Sequence, residues 1–139
     1  EYVRLRLRSE DPRVRQVALH AISLHRDRSY LSELIKLLHQ GGSANKRIAA
    51  EALGRIGDKS VIPSLLKAAG DTEDRFSEHS IIFALVELGD LDATQEGLQS
   101  DNARVRRVAL IALDQMPGGG LNPNQVIPLL ASTNEVDLD

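Results

Sequence analysis

The sequence predicts an all-α fold, a superhelical α-solenoid of about four helix pairs, and three observations lead there. The first is a phrase that recurs four times: a small residue, a branched apolar residue, then a turn or acidic stop. It runs Ala21-Ile22 to Asp27, Ala52-Leu53 to Asp58, Ala84-Leu85 to Asp90, and Ala112-Leu113 to Gly118. The alanines stand 31, 32 and 28 residues apart, and a period in this range marks stacked repeats that present an extended surface to a partner. The second observation is the apolar palette. Hydrophobic residues make up 42% of the chain but aromatics only 3%, so Leu, Ile, Val and Ala must build the core. The third is helical spacing inside each copy.

The first copy spans about residues 9–40. Asp11 and Pro12 supply a helix start, and Val14, Val17, Ala18, Ala21 and Ile22 follow at i, i+3, i+4, i+7 and i+8, one face of an amphipathic helix. A second helix is expected from Ser29, with Leu31, Leu34, Ile35 and Leu38 on one side, up to Gly41-Gly42. The second copy, 41–70, repeats this. Ser43 is the expected cap, Ile48, Ala49, Ala52, Leu53 and Ile56 form the stripe, and Gly57 stands where a left-handed stop belongs. Its second half aligns Asp58-Lys59-Ser60 with Asp27-Arg28-Ser29, and Pro63 falls in a first helical turn.

The third copy, 71–100, should start its first helix near Thr72 or Asp74 and run to Leu88. Its second helix, about Asp92 to Gln99, is weakened by Gly97. The fourth copy, 101–131, places Val105, Val108, Ala109, Ala112, Leu113 and Met116 on a stripe. Pro117-Gly118-Gly119-Gly120 then lengthens the turn before Asn122-Pro123. At the start, Val3, Leu5 and Leu7 alternate with arginines. In a helical stack this is expected to be the tail of a preceding helix. Glu135 to Asp139 is expected to fray.

Residues 1–139 are thus expected to form one repeat domain cut from a longer protein. The net charge of −3 gives no global case for a polyanionic partner. There are no cysteines, hence no disulfide framework and no thiolate metal site. No apolar run approaches the ~20 residues that span a bilayer, so membrane insertion is not expected.

Ser9 to Ala18 and Asp101 to Ala109 resemble the HEAT-repeat pattern, and Ala52-Leu53-Gly54-Arg55-Ile56-Gly57-Asp58 resembles the short bacterial form also seen in phycobilisome-lyase proteins. The likeness covers about residues 9–131. It implies an armadillo-like helical scaffold and says little about function. Arg75 to Leu85 and Ala109 to Gly119 further resemble the HEAT segment of large secreted planctomycete proteins. Those typically join a propeller-like dehydrogenase-type domain and a c-type cytochrome domain. That likeness implies a structural spacer in a secreted haem-containing oxidoreductase, periplasmic or secreted; otherwise a cytoplasmic location is expected. This chain has no Cys-x-x-Cys-His to hold a haem.

Candidate sites follow from the repeats. Arg15, Lys46 and Arg106 occupy equivalent places, with Asp11, Asp101 and Asn102 upstream. They are expected to form a structural ladder linking neighbouring repeats, as in the family's pattern. Glu78 stands at the cation's place in the third copy and should break or invert it. Read instead as phosphate contacts, the clusters Arg4, Arg6, Arg8, Arg13, Arg15 and Arg104, Arg106, Arg107 would suit nucleic acid. Interleaved acids and scarce aromatic platforms weigh against that.

His20, His25, His39 and His79 include no i, i+4 pair and no His-Glu dipeptide, so no metal or cofactor is expected. No nucleophile elbow or phosphate loop is present, and no catalytic residue is expected. The second helices should line the concave face with Glu33, Lys36, Lys67, Gln95, Gln99 and Gln125 outward. That mixed set suits a protein, or a neighbouring domain of the same chain, as partner. The expected function is a non-catalytic interaction or scaffolding module.

Overall fold

In the computed structural model, residues 2–119 and 121–130 are described. Helix α1 covers Tyr2–Leu7 and α2 covers Pro12–His25; α3 is Leu31–Gln40 and α4 is Ser43–Ile56. Then come α5 at Ile62–Gly70, α6 at Arg75–Leu88 and α7 at Leu91–Gln95, followed by α8 at Ala103–Gln115 and α9 at Pro123–Leu130. Three short 3₁₀ turns, Arg28–Tyr30, Lys59–Val61 and Glu96–Gln99, join these. No strand occurs among the described residues. The arrangement is an all-α solenoid. The alternating Val3-Leu5-Leu7 segment lies in helix α1, helical as expected, and this helix packs on α2.

Two layers build the stack. Helices α2, α4, α6 and α8 pack one on the next and carry the recurring phrase, while α3, α5 and α7 form the second layer. Each second helix leans forward: α3 packs on α4, and α5 on both α6 and α8. The seam between layers is filled by Leu34, Leu38, Leu53, Ile62, Leu65 and Leu85, all essentially without solvent contact.

Local chemistry explains the boundaries. Asp11, Asp74 and Asn102 hold extended backbone and accept hydrogen bonds from amides of the first helical turn, capping α2, α6 and α8. The equivalent place before α4 is Gly42, with no side-chain cap. Ser43, the expected cap, is instead the first helical residue. Asp27, Asp58 and Asp90 cap the next turn in the same way. Helices α2, α4 and α6 end on left-handed residues at equivalent places, Arg26, Gly57 and Gly89. Arg26, with φ 49°, is a side-chain-bearing residue in a region that favours glycine.

In the first copy the second helix begins later than periodicity suggests. A 3₁₀ turn takes Arg28–Tyr30, so α3 starts at Leu31 rather than Ser29. In the third copy only Leu91–Gln95 is α-helical, and the remainder tightens into 3₁₀ at Gly97. Packing accounts for that glycine: a Cβ there would lie 2.8 Å from the Ala109 Cβ and 3.0 Å from Leu66. Helix α4 approaches α6 closely, and a Cβ on Gly54 would sit 2.7 Å from the Ala84 Cα. Glycine there lets two backbones meet. One expected core residue departs: Val17 is 70% exposed, although Ala18 and Ile22 of the same stripe are buried. Gly118 takes a left-handed φ of 74° in the lengthened turn. The acidic tail expected to fray lies outside the described residues.

Candidate protein-interaction surface

The second-helix layer carries the residues expected to meet a partner, and they fall into two groups. Lys36 on α3, Lys67 on α5 and Gln99 in the turn after α7 are exposed. Glu33, Gln95 and Gln125 are half-buried. Glu33 is engaged within the fold: its carboxylate accepts from the Ser32 hydroxyl at 2.8 Å and pairs with Arg4 at 3.0 Å. The Ser32 hydrogen bond, with Arg4 adding to it, holds the Glu33 carboxyl below its ordinary range. Arg4 also lies over the Tyr30 ring, 5.4 Å from its centre. This contact fastens α1 to α3.

Between α1 and α3 lies a groove of about 530 Å³, walled by Leu7 and Leu37 and rimmed by Arg8, Arg15, Glu33 and Lys36. A smaller hollow of about 260 Å³ lies along the layer, lined by Pro63, Lys67, Glu96 and Gly97 among others. The first groove sets two leucines among polar side chains and the exposed Arg8 and Lys36, a combination that can hold an extended or helical polypeptide segment.

The expected ladder residues Asp11 and Arg15 do not pair with each other. Asp11 caps its own helix and pairs with Arg13 at 3.0 Å, not with Arg15. The Arg15 guanidinium donates to the carbonyls of Ser9 and Glu10, the latter at 2.9 Å, and reaches Asn45 of the next copy at 3.5 Å. Arg106 repeats the first contact, donating to the Ser100 carbonyl at 2.7 Å. Each therefore clamps the turn before its own helix. Lys46 shares a hollow with Asp71, Glu73 and Asp74, and Asp101 is exposed. At the cation's place in the third copy, Glu78 reaches forward to Arg107 on α8 at 3.8 Å.

A different ladder links the turns. Arg28 approaches Asp58 at 4.0 Å, and Lys59 approaches Asp90 at 3.6 Å. The residues are equivalent, so each basic turn residue addresses the acid one repeat later. The aligned Asp-basic-Ser phrase at 27–29 and 58–60 is the sequence signal for it. Asp27 and Asp58 have carboxyls held below their ordinary range, first by Ser29 and Ser60 at the cap.

His20, His25 and His79 are exposed and His39 is half-buried. Among the described residues no three His, Asp or Glu side chains converge as metal ligands would. Also among those residues, no helix is long and apolar enough to cross a membrane.

Stacked helix pairs with this phrase at the seam define a helical repeat protein. A family model described as HEAT repeats matches residues 2–86, and the chain belongs to that family. HEAT repeats generally mediate protein interactions and are generally not catalytic, and the chain is a helical repeat module of this family. It is also similar to a Geobacillus stearothermophilus protein described as "Uncharacterized protein in gldA 3'region", with 37% identity over 70 residues. That match covers 50% of this chain and 32% of the relative, so the chain spans about a third of the relative's length. Neither match carries the narrower likeness to planctomycete haem proteins.

Proposed function

We propose that the chain is a non-catalytic scaffold that receives a protein partner, or a neighbouring domain, on the face formed by α1, α3 and α5. The observation that carries this reading is the groove between α1 and α3. Leu7 and Leu37 line it, and Lys36 and Arg8 at its rim are exposed. Lys67 and Gln99 extend the same layer, while Glu33 holds the groove's wall through Arg4.

The internal use of the arginines supports a protein over a nucleic acid. Arg4, Arg13, Arg104 and Arg107 pair with Glu33, Asp11, Glu73 and Glu78. Arg15 and Arg106 donate to backbone carbonyls. A polyanion would have to displace these contacts to gain phosphate pairs.

Photo-crosslinking tests the reading. A benzophenone side chain at position 36 or 67 should capture the same protein partner in the native host. The charge reversals Lys36→Glu and Lys67→Glu should abolish that product. Capture only from position 20 on the first layer, or products insensitive to both reversals, would overturn it.

A further inference from the structure

The first layer carries an aromatic stripe at the middle of the stack. The chain has two phenylalanines, and both stand exposed on α6: Phe76 at 69% and Phe83 at 39%. Exposed His79 lies between them, so the three share one helix face at i, i+3 and i+7. The core does not use them, because the inward face of α6 is filled by Ile81, Ile82, Leu85 and Leu88. Equivalent places in the other copies hold Arg13, Ala44 and Arg104 for Phe76, and His20, Glu51 and Ile111 for Phe83. Nor does the exposure follow from an end of the stack, since α6 already has both α4 and α8 packed against it.

Charge is divided along the stripe. At the Phe76 end, the Arg47 guanidinium of α4 lies over the ring, 5.6 Å from its centre, and Arg75 is the residue before it. Both arginines are exposed, and among the described residues no carboxylate lies within ion-pair distance of either. Asp74 gives its oxygens to the amides of Phe76 and Ser77 and to the Ser77 hydroxyl. Arg104 and Arg107 on α8 differ, since they pair with Glu73 and Glu78. At the Phe83 end the charges are acidic: Glu51 holds the equivalent place on α4, and exposed Glu87 stands one turn further along α6. Exposed aromatic rings beside arginines have the composition of a protein-binding hot spot.

We propose that this face of α6 docks an acidic segment of another protein, with apolar side chains on Phe76 and Phe83 and carboxylates beside Arg47 and Arg75. About two helical turns, roughly 10 Å, separate the two phenylalanines, a span that a short segment covers. The division of charge sets its direction: acids lie at the Arg47 end, and uncharged residues lie beside Glu51 and Glu87. A nucleic acid suits the face less well, because its phosphates would run on past both glutamates. The site belongs to the first layer and is separate from the groove between α1 and α3.

The chain has no Trp, so a Trp in a synthetic peptide reports binding by its fluorescence. The probe has an acidic half of Asp and Glu, Leu and Trp at its centre, and an uncharged half; a second peptide carries Lys in place of every acid. The acidic peptide should bind the full chain, and the lysine peptide should bind about tenfold or more weakly. Phe76→Ala and Arg47→Glu should each weaken the acidic peptide about tenfold or more, as loss of a hot-spot contact does. Both residues are exposed, so each variant should keep the far-UV circular dichroism of the parent. In the isotope-labelled chain, amide shifts should move on α4 and α6 and not on α3 and α5. Absent binding, equal binding of the lysine peptide, unchanged affinity in Phe76→Ala, or shifts centred on α3 and α5 would overturn the proposal. So would displacement of the peptide by an equimolar oligothymidylate, because the occupant would then be a nucleic acid. Changed α6 shifts in a free chain lacking residues 131–139 would also overturn it, making the chain's own acidic tail the occupant.

Discussion

Val17 and Val108 hold the same place in the repeat, yet one is 70% exposed and the other has no contact with solvent. The difference lies in what precedes each helix. Helix α6 covers α8, and among the described residues no first-layer helix lies over α2. Periodicity therefore decides which face of a helix is apolar, and position in the stack decides whether that face is core or surface. In a quasi-one-dimensional fold this holds generally, because each repeat contacts only its neighbours.

The comparison can be broken most severely at the inner crossing. Gly54→Leu forces a side chain into the 2.7 Å approach to the Ala84 backbone. It should cost about 3 kcal/mol or more, the upper range for overpacking. Urea unfolding followed by circular dichroism would measure it. Arg26 offers an opposite and smaller change. It takes the left-handed place that Gly57 and Gly89 fill in later copies. Arg26→Gly should raise stability by about 0.5–1 kcal/mol by relieving that strain, read as a higher urea midpoint with an unchanged slope.

The smallest effect is one of pH. Asp74 accepts from the Ser77 hydroxyl and from the amides of Ser77 and Phe76, and its carboxyl is held below the ordinary 3.8, chiefly by the Ser77 hydroxyl. A depressed pKa in the fold means the charged form is stabilised there. That contribution is present above the unfolded value and is lost as pH falls through and below about 3.8. Asp74→Asn keeps a capping oxygen without the titration. Its melting temperature should therefore fall less steeply than the parent's between pH 5 and pH 3, scanned in about half-unit steps.

The helices were legible because each signal in them is local. Asp74 before Arg75, Gly57 and Gly89 after their helices, and the Ala-Leu seam all act within one or two turns. What the sequence hid depends on neighbours. Val17 belongs to an apolar stripe, and its exposure depends on a neighbour that among the described residues does not lie over it. Gly97 predicts a weak helix, but the press of Ala109 and Leu66 decides the 3₁₀ turn. Of the expected interaction surface, Lys36 and Lys67 stand exposed. Glu33 does not stand free, because Arg4 arrives from a helix 29 residues earlier in the chain. The expected ladder was sought at the helix starts, where Asp11 finds Arg13 two residues away before it can meet Arg15. At the turns Asp58 and Asp90 cap locally through Oδ1, which leaves Oδ2 to face Arg28 and Lys59 of the preceding repeat.

The most direct test of stack position as the governing variable is a matched pair of truncations, Val17→Ala and Val108→Ala, compared by equilibrium unfolding. Val108→Ala should lose about 2 kcal/mol, within the range for deleting buried methyl groups, and Val17→Ala less than about 0.5 kcal/mol. Equal losses at the two sites would contradict the account, because α2 would then be covered as α8 is.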